Sequence, residues 1–398
     1  MNRLYLQYDL PKESPGPYES HPVEGYGFVF HRNWGTLDEW IIFGKAGPGS
    51  GHYHASDGSV QIYAHGKPLV IGYGKYPYIT TTWRYTILRL DGRSNWSRGS
   101  TGPVFTSELL DAAEMHVPVV NVSTNKEKTI PDMVKSGQIT DSTWDAVMDV
   151  PASYFDRSVI FNRADNYLVL FDRAGPRYNS DWFTHVMSES HTVEDGVIHF
   201  TGKFGIDLDL HILAPPNAVP TVLGPVATQF AAEIKSKKLH WSKNNIDQQV
   251  VQLSSPPDSD YLTVFHPRKR GEEKRNLKIT KSGALWQIDS DTGASRFVCS
   301  RKPVQVESDG FVFHGSRCGT VKSGATETLV MLSGTKIGVG DLGLEADRSL
   351  ALLAEIRDGR FKRIIAQASK ETSLKIGRTE AQKIPAGRTV IMSNQHRR

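Results

Sequence analysis

The sequence has few cysteines and no long hydrophobic run, and each shortage excludes a class of protein. Two cysteines among 398 residues are too few for a disulfide-dense scaffold. Cys299 and Cys318 either pair across a hairpin or stay free. No segment approaches the ~20 apolar residues of a membrane-spanning helix. The N-terminus, Met1 to Tyr5, has no signal-peptide hydrophobic region, which taken literally predicts a cytoplasmic chain.

The sequence also has little net charge. A formal charge of +4 and a pI near 8.8 fit an anionic ligand, and solubility alone explains them equally well. No basic stripe with interleaved aromatic side chains is present, so we expect no nucleic-acid partner. Hydrophobic residues make up 38% of the chain, which is enough for a folded core and argues against disorder.

Helical periodicity is scarce, whereas turn residues and alternating patterns are frequent. In Ile206–Leu213 the apolar residues alternate with Asp207, Asp209 and His211, which is typical of a strand with one buried face. We therefore predict an all-β fold, a large antiparallel two-sheet sandwich followed by a small C-terminal β unit. The predicted bounds are an extended lead-in over 1–24, the sandwich over 25–335 and the small unit over 336–398. The alternative is two separate sandwiches divided near 235–245.

The segment Gly51–Ser59 concentrates chemical groups. It contains His52, His54 and Asp57 and runs directly into the alternating strand pattern of Val60–Ala64. Reactive groups at the mouth of a rigid sheet are common in binding and catalytic sites. The alternative is a polar loop whose histidines only bond to the backbone.

An ordered series of motifs resembles the heparinase II/III-like polysaccharide lyases over roughly residues 25–215. The motifs are His31-Arg32-Asn33-Trp34-Gly35, Glu39–Phe43, His52-Tyr53-His54 through Asp57-Gly58-Ser59, Tyr63–Leu69, Tyr154–Phe161, Asn166–Arg173 and Asp181–His185. The resemblance implies the sandwich part of such a lyase. It also implies β-elimination on a uronic-acid-containing polysaccharide and a periplasmic or secreted location.

The resemblance assigns roles to individual residues. His52 takes the position of the family's catalytic sandwich histidine, and Tyr73 is a candidate acid or base. Arg32 could hold a sugar carboxylate and Trp34 could stack on a ring, although Trp34 is equally compatible with ordinary sheet packing. A zinc or calcium ion is implied by some members. The candidate ligands here are His54, Asp57 and His185, and no organic cofactor is implied.

Several positions depart from the family pattern. Two residues separate His54 from Asp57 where one is usual, and Gly72 stands where members carry a metal-binding Asp. Nothing before residue 25 encodes the family's N-terminal α/α toroid, so the resemblance implies that a toroid-bearing partner or a missing N-terminal domain supplies the other half of the active site. The alternative function is a non-catalytic carbohydrate-binding or scaffolding sandwich.

Overall fold

The computed structural model describes residues 19–47, 56–72, 86–90, 95–97, 99–121, 153–176, 178–224, 248–272 and 277–392. Every regular element in these ranges is a β-strand. The first nine, β1 to β9, are His21–Val23, Gly27–Arg32, Trp40–Lys45, Val60–Ala64, Lys67–Val70, Ile87–Leu90, Asn95–Ser97, Ser100–Thr106 and Leu110–Asn121. Strands β10 to β18 are Ser153–Asn162, Tyr167–Ala174, Ser180–Val186, Ser188–Glu194, Val197–Gly202, Ile206–Ala214, Thr221–Leu223, Gln249–Ser255 and Asp260–Lys269. Strands β19 to β28 are Lys278–Ser282, Leu285–Asp289, Ala294–Ser308, Phe311–Ser323, Thr326–Val339, Leu342–Arg357, Arg360–Ala368, Thr372–Ile376, Gln382–Ile384 and Gly387–Met392.

The strands form three antiparallel sheets, which confirms the predicted all-β fold. The first sheet has the order β1-β2-β3-β4-β5-β12-β17-β16, with β6 also paired to β12. The second has the order β13-β14-β15-β18-β11-β10-β9-β7, with β8 also paired to β9. The third has the order β19-β20-β21-β22-β23-β24-β25-β28, and β26 joins it through β24 and carries β27.

The first two sheets enclose one hydrophobic core. Phe30 and Ile42 of the first sheet are buried in the same cluster as Phe161, Leu170 and Phe265 of the second. The alternation predicted for Ile206–Leu213 places Leu208 and Leu210 in this core. The two sheets are therefore the predicted sandwich.

The third sheet packs on the opposite face of the second. Ile160 and Val169 of the second sheet share a buried cluster with Phe297, Val330 and Leu353 of the third. The middle strands of the second sheet are consequently covered on both faces, and nearly every residue of β10 and β11 is buried.

The third sheet also encloses a core of its own. Phe313, Leu329, Leu352 and Ile364 belong to a separate buried cluster made only of third-sheet residues. Its long strands contain register shifts, including one between Cys299 and Val304, which bend them so that the sheet can fold over this cluster.

Some predicted boundaries fall inside continuous structure. Residue 336 lies within β23, and the strands on both sides of it belong to the third sheet. Strand β17 pairs with β12 in the first sheet, and β18 pairs with β11 in the second. Strands before and after residues 235–245 therefore share both sheets, and the alternative of two sandwiches divided there is wrong. The predicted lead-in over 1–24 also overlaps the first sheet, because its residues His21–Val23 form β1 and pair with β2. The sequence makes a helix plausible only in short pieces such as Thr143–Met148, and that segment lies outside the described residues. The described chain contains no helix long and apolar enough to cross a membrane.

Candidate functional site

One end of the first sheet holds Asp57 and His185, two of the predicted site residues that the structure describes. Antiparallel pairing of β3, β4 and β5 places Lys45, Val60 and Val70 at the same end, and Val186 of β12 pairs with Val70 there. The amide of Val60 donates to the carbonyl oxygen of Thr86 at 3.2 Å, which brings the start of β6 to this end. We call it the loop end, because residues 48–55 and 73–85 connect to the described chain here.

The connectivity brings together segments that are far apart in sequence. His52 and His54 belong to the first of these connections and Tyr73 to the second, and all three residues lie outside the described part of the chain. Gly72, which stands where the family has a metal-binding Asp, is half-buried two residues after Val70.

A fully buried arginine supports the loop end from inside the core. The guanidinium of Arg157 forms a bidentate ion pair with Asp172, with Nε–Oδ1 at 2.5 Å and Nη2–Oδ2 at 2.7 Å. Its Nη1 donates to the carbonyl oxygens of Gly58 and Thr86 at 2.6 and 2.8 Å. Trp182 Nε1 donates to Asp172 Oδ2 at 2.9 Å. We call Arg157, Asp172 and Trp182 the Arg157 cluster.

Gly58 fits this arrangement because it has no side chain. Its φ of +85° lies in the left-handed region, and an added Cβ would lie 2.3 Å from the ring of Phe155. The carbonyl of Gly58 can therefore reach Arg157 only from a residue without a Cβ.

Asp57 is buried at the loop end and already has partners. Its carboxylate forms an ion pair with Lys45 and accepts a hydrogen bond from the amide of Gly99 at 3.1 Å. Lys45 also lies over the ring of Tyr26, 5.8 Å from its centroid. These contacts tie Asp57, the second residue after the 48–55 connection, to β3 and to the residue that precedes β8.

His185 is also at the loop end and fully buried. Its Nδ1 lies 3.0 Å from the side-chain oxygen of Gln248, and its amide donates to the hydroxyl of Thr86 at 3.4 Å. The structure thus places His185 and Asp57 at the same end of the sheet.

The described members of the predicted metal set do not fit a metal site. Asp57 is neutralised by Lys45, and a cation there would have to displace that ammonium group. Among the described residues, no group of three or more His, Cys, Asp or Glu side chains could hold an ion.

Arg32 and Trp34 lie at the opposite end of the first sheet. Arg32 pairs with Trp40 at the start of β3, whereas Lys45 ends that strand. The six residues of β3 span about 17 Å. The structure therefore does not bring Arg32 to the loop end.

The surroundings of Arg32 are unusual for a partly buried cation. Its Nη1 donates to the side-chain oxygen of Asn166, its one hydrogen-bond partner among the described residues, and it forms no ion pair there. Burial, followed by the nearby charge of Arg163, lowers the pKa of Arg32. The ring of Trp34 contacts that of His31 edge to face at 5.2 Å.

A small polar cavity lies at the same far end. It has a volume of about 200 Å³ and is lined by residues that include Asn33, His65, Asn166 and His266. Asp38 also lines it and pairs with His65 at 3.2 Å.

The sequence reasoning missed the Arg157 cluster as a functional unit. The motifs Tyr154–Phe161 and Asn166–Arg173 contribute to the family resemblance but receive no functional role from it. The available signal was a charged residue at an inward position of each strand, Arg157 among Phe155 and Val159, and Asp172 two residues after Leu170. Such charges are buried only when paired, so their alignment across β10 and β11 was predictable.

Comparison with known proteins gives matches to structures alone. No family model and no curated protein matches the sequence. A heparan sulfate lyase from Pedobacter heparinus, HepC, matches with a TM-score of 0.51 and 14% identity over 71% of this chain and 43% of that one. A heparinase III gene product matches with a TM-score of 0.51 and 16% identity over 72% of this chain and 43% of the other.

The chain spans less than half the length of these solved structures. At such low identity the similarity concerns the fold. The two-sheet sandwich and the structural matches agree with the predicted resemblance: this chain has the fold of part of the heparinase III and heparan sulfate lyase structures.

Proposed function

We propose that the chain is the sandwich part of a polysaccharide lyase that cleaves a uronic-acid-containing glycan by β-elimination, with the reaction at the loop end. The observation that carries the proposal is the connectivity there. Gly58 and Thr86 follow the connections to which His52 and Tyr73 belong, and the buried Arg157 binds the carbonyl oxygens of both. A site built on a rigid sheet holds its reacting groups within the narrow geometry that catalysis needs.

The chemistry accounts for the residue types. The C5 proton of a uronate becomes acidic when the charge of the adjacent carboxylate is neutralised. A base then removes that proton, and an acid protonates the departing O4. In the proposal His52 neutralises the carboxylate or assists proton transfer, and Tyr73 exchanges the proton. The α/α toroid of a partner or of a longer chain would supply the groups on the other side of the glycan.

Arg32 and Trp34 contribute to binding in this proposal and not to the reaction. They lie about one strand length from the loop end, beyond the reach of the reacting sugar. A guanidinium without a carboxylate partner can bind a uronate or sulfate group farther along the same glycan.

Product formation tests the proposal directly. The full chain, alone and with a toroid-bearing partner, is incubated with heparan sulfate, alginate, ulvan and glucuronan, and absorbance of the unsaturated uronate product is followed. We expect turnover on one glycan, abolished by His52→Ala and retained by the control His191→Ala, which alters an exposed histidine on β13. Absence of product under both conditions would remove the catalytic proposal.

A second candidate function is glycan binding without catalysis, favoured by Arg32. A partly buried arginine without an ion pair is costly unless an anionic ligand compensates it. In this case glycan affinity is lost in Arg32→Ala and unchanged in His52→Ala, and no glycan is cleaved. Isothermal titration with the same glycan panel distinguishes the two functions.

The proposed substrate also implies where the protein works. Polysaccharides of this class lie outside the cytoplasm, so the proposal includes a periplasmic or secreted location. Fractionation of the producing cells tests it, and recovery in the cytoplasmic fraction alone would contradict it.

A further inference from the structure

We propose that the Arg157 cluster is a positioning unit, which holds Gly58 and Thr86, the residues that follow two connections of the first sheet, in a fixed relation to each other. Its catalytic consequence rests on the proposed function. The effect of the cluster on the positions of Gly58 and Thr86 does not rest on it, and this effect can be measured without substrate.

The position of the two hydrogen-bond acceptors is the first argument. Gly58 lies three residues after the 48–55 connection, and Thr86 is the first described residue after the 73–85 connection. One nitrogen of Arg157 donates to both carbonyl oxygens. Movement of Gly58 or Thr86 away from the other therefore breaks a hydrogen bond from the charged Arg157. Hydrogen bonds with a charged donor are among the stronger hydrogen bonds in proteins.

The guanidinium of Arg157 is itself held rigidly. The bidentate pair with Asp172 fixes the plane of the guanidinium, and Trp182 donates a further hydrogen bond to Oδ2 of that carboxylate. Arg157 and Asp172 are fully buried, so water does not compete for these bonds. Lysine has the same charge but lacks the planar fork, so it cannot hold Asp172 and two carbonyls in this geometry.

A second arginine provides a matched control for a merely structural role. Arg317 forms an ion pair with Glu114 at 3.0 Å, and both side chains are largely buried between the second and third sheets. No hydrogen bond joins this pair to Gly58 or Thr86 among the described residues. Loss of the pair lowers stability without a specific effect at the loop end.

Amide hydrogen exchange on the full chain tests the positional role. In Arg157→Lys we expect exchange of the Gly58 and Val60 amides to rise about tenfold or more, while amides of β22 and β23 keep their rates. In Arg317→Lys the Gly58 and Val60 amides should exchange as in the unaltered protein. Unchanged exchange at these amides in Arg157→Lys, or an equal rise across all sheets, would overturn the proposal.

Trp182→Phe is the second variant for this test, to be used if Arg157→Lys does not fold. It keeps a ring in the core and removes one hydrogen bond to Asp172, so a smaller rise in exchange confined to the same amides is expected, and no rise would count against the proposal.

If lyase turnover is found, Trp182→Phe should lower kcat more than it changes KM, because it disturbs the reacting groups and not the contacts of Arg32. A change in KM alone would contradict the positioning role. The exchange result stands whether or not turnover is found, so failure of one proposal is distinguishable from failure of the other.

Discussion

His211 and His116 lie on the second sheet, and their surroundings move their pKa values in opposite directions. Burial, and then the nearby His266, lowers the pKa of His211 to about 4. For His116, the hydrogen bond between its Nδ1 and Asp156 at 2.5 Å raises the pKa above 6.5. The first histidine is neutral in the folded protein near neutral pH, and the second is stabilised in its charged form.

His211 should therefore make the protein sensitive to acid. Between pH 6.5 and about 4 the unfolded chain binds a proton at this residue that the folded chain does not, so stability falls as pH falls. One proton gives a slope of at most about 1.4 kcal/mol per pH unit. Urea unfolding across this range should show a shallower decline in His211→Gln. His116→Gln should instead lose a stabilisation that is present below pH 6.5. Identical profiles for all three proteins would contradict the assignment.

The two cysteines should be unreactive and unbonded. Both are free, and they face opposite sides of the third sheet, with Cys318 in the sheet's own core and Cys299 against the cluster shared with the second sheet. Burial raises the pKa of Cys299 to about 12 and that of Cys318 well above its usual value. Because the thiolate is the reacting form, iodoacetamide should modify neither thiol until denaturant is added. Rapid modification of the native protein, or a mass loss of two hydrogens, would contradict this prediction.

At the scale of single elements, the link between β3 and β4 depends on Asp57. Asp57→Ala removes the partner of Lys45 and of the Gly99 amide inside the protein, which should cost about 1–3 kcal/mol of unfolding free energy. Asp38→Ala is the control, since Asp38 also pairs with a lysine, Lys269, but is about half exposed. Chemical denaturation should show a clearly smaller effect for the control. Equal effects would mean that burial at the loop end does not matter.

The sequence predicted some elements well for a physical reason. β15 alternates because its inward residues Leu208 and Leu210 face the core, whereas Asp207 and Asp209 pair with Arg268 on the other face. The full lengths of β21 and β22 could not be predicted in this way, because both strands continue through register shifts that no local pattern marks.

Motif order in the sequence identifies candidate site residues but does not show which end of a strand each residue occupies. Asp57 and His185 were identified from motif order, and the structure places both at the loop end. Arg32 was grouped with them, although it lies at the other end of the sheet, because nearness in sequence does not reveal which strand end a residue occupies. The ion pair of Asp57 with Lys45 likewise depends on strand pairing.

At the scale of the whole molecule, a boundary at residue 335 should not separate folding units. A chain ending there is cut inside β23 and loses Leu344, Leu352 and Ile364 from the core of the third sheet. We expect residues 1–335 to bind a hydrophobic dye and melt without a sharp transition, and residues 336–398 alone to remain unfolded. Cooperative melting of both fragments, followed by circular dichroism, would show instead that the small C-terminal unit is independent.

The burial of the second sheet on both faces has a consequence for how this protein tolerates sequence change. Residues Tyr167 to Asp172 of β11 are all buried, since one set contacts the first sheet and the alternate set contacts the third. In a library of single substitutions screened for soluble expression, β11 should accept almost no polar residue at any position. In β4, with its half-buried Gln61 and Tyr63, every second position should accept them. The variability of each strand would then identify the middle layer without any structure.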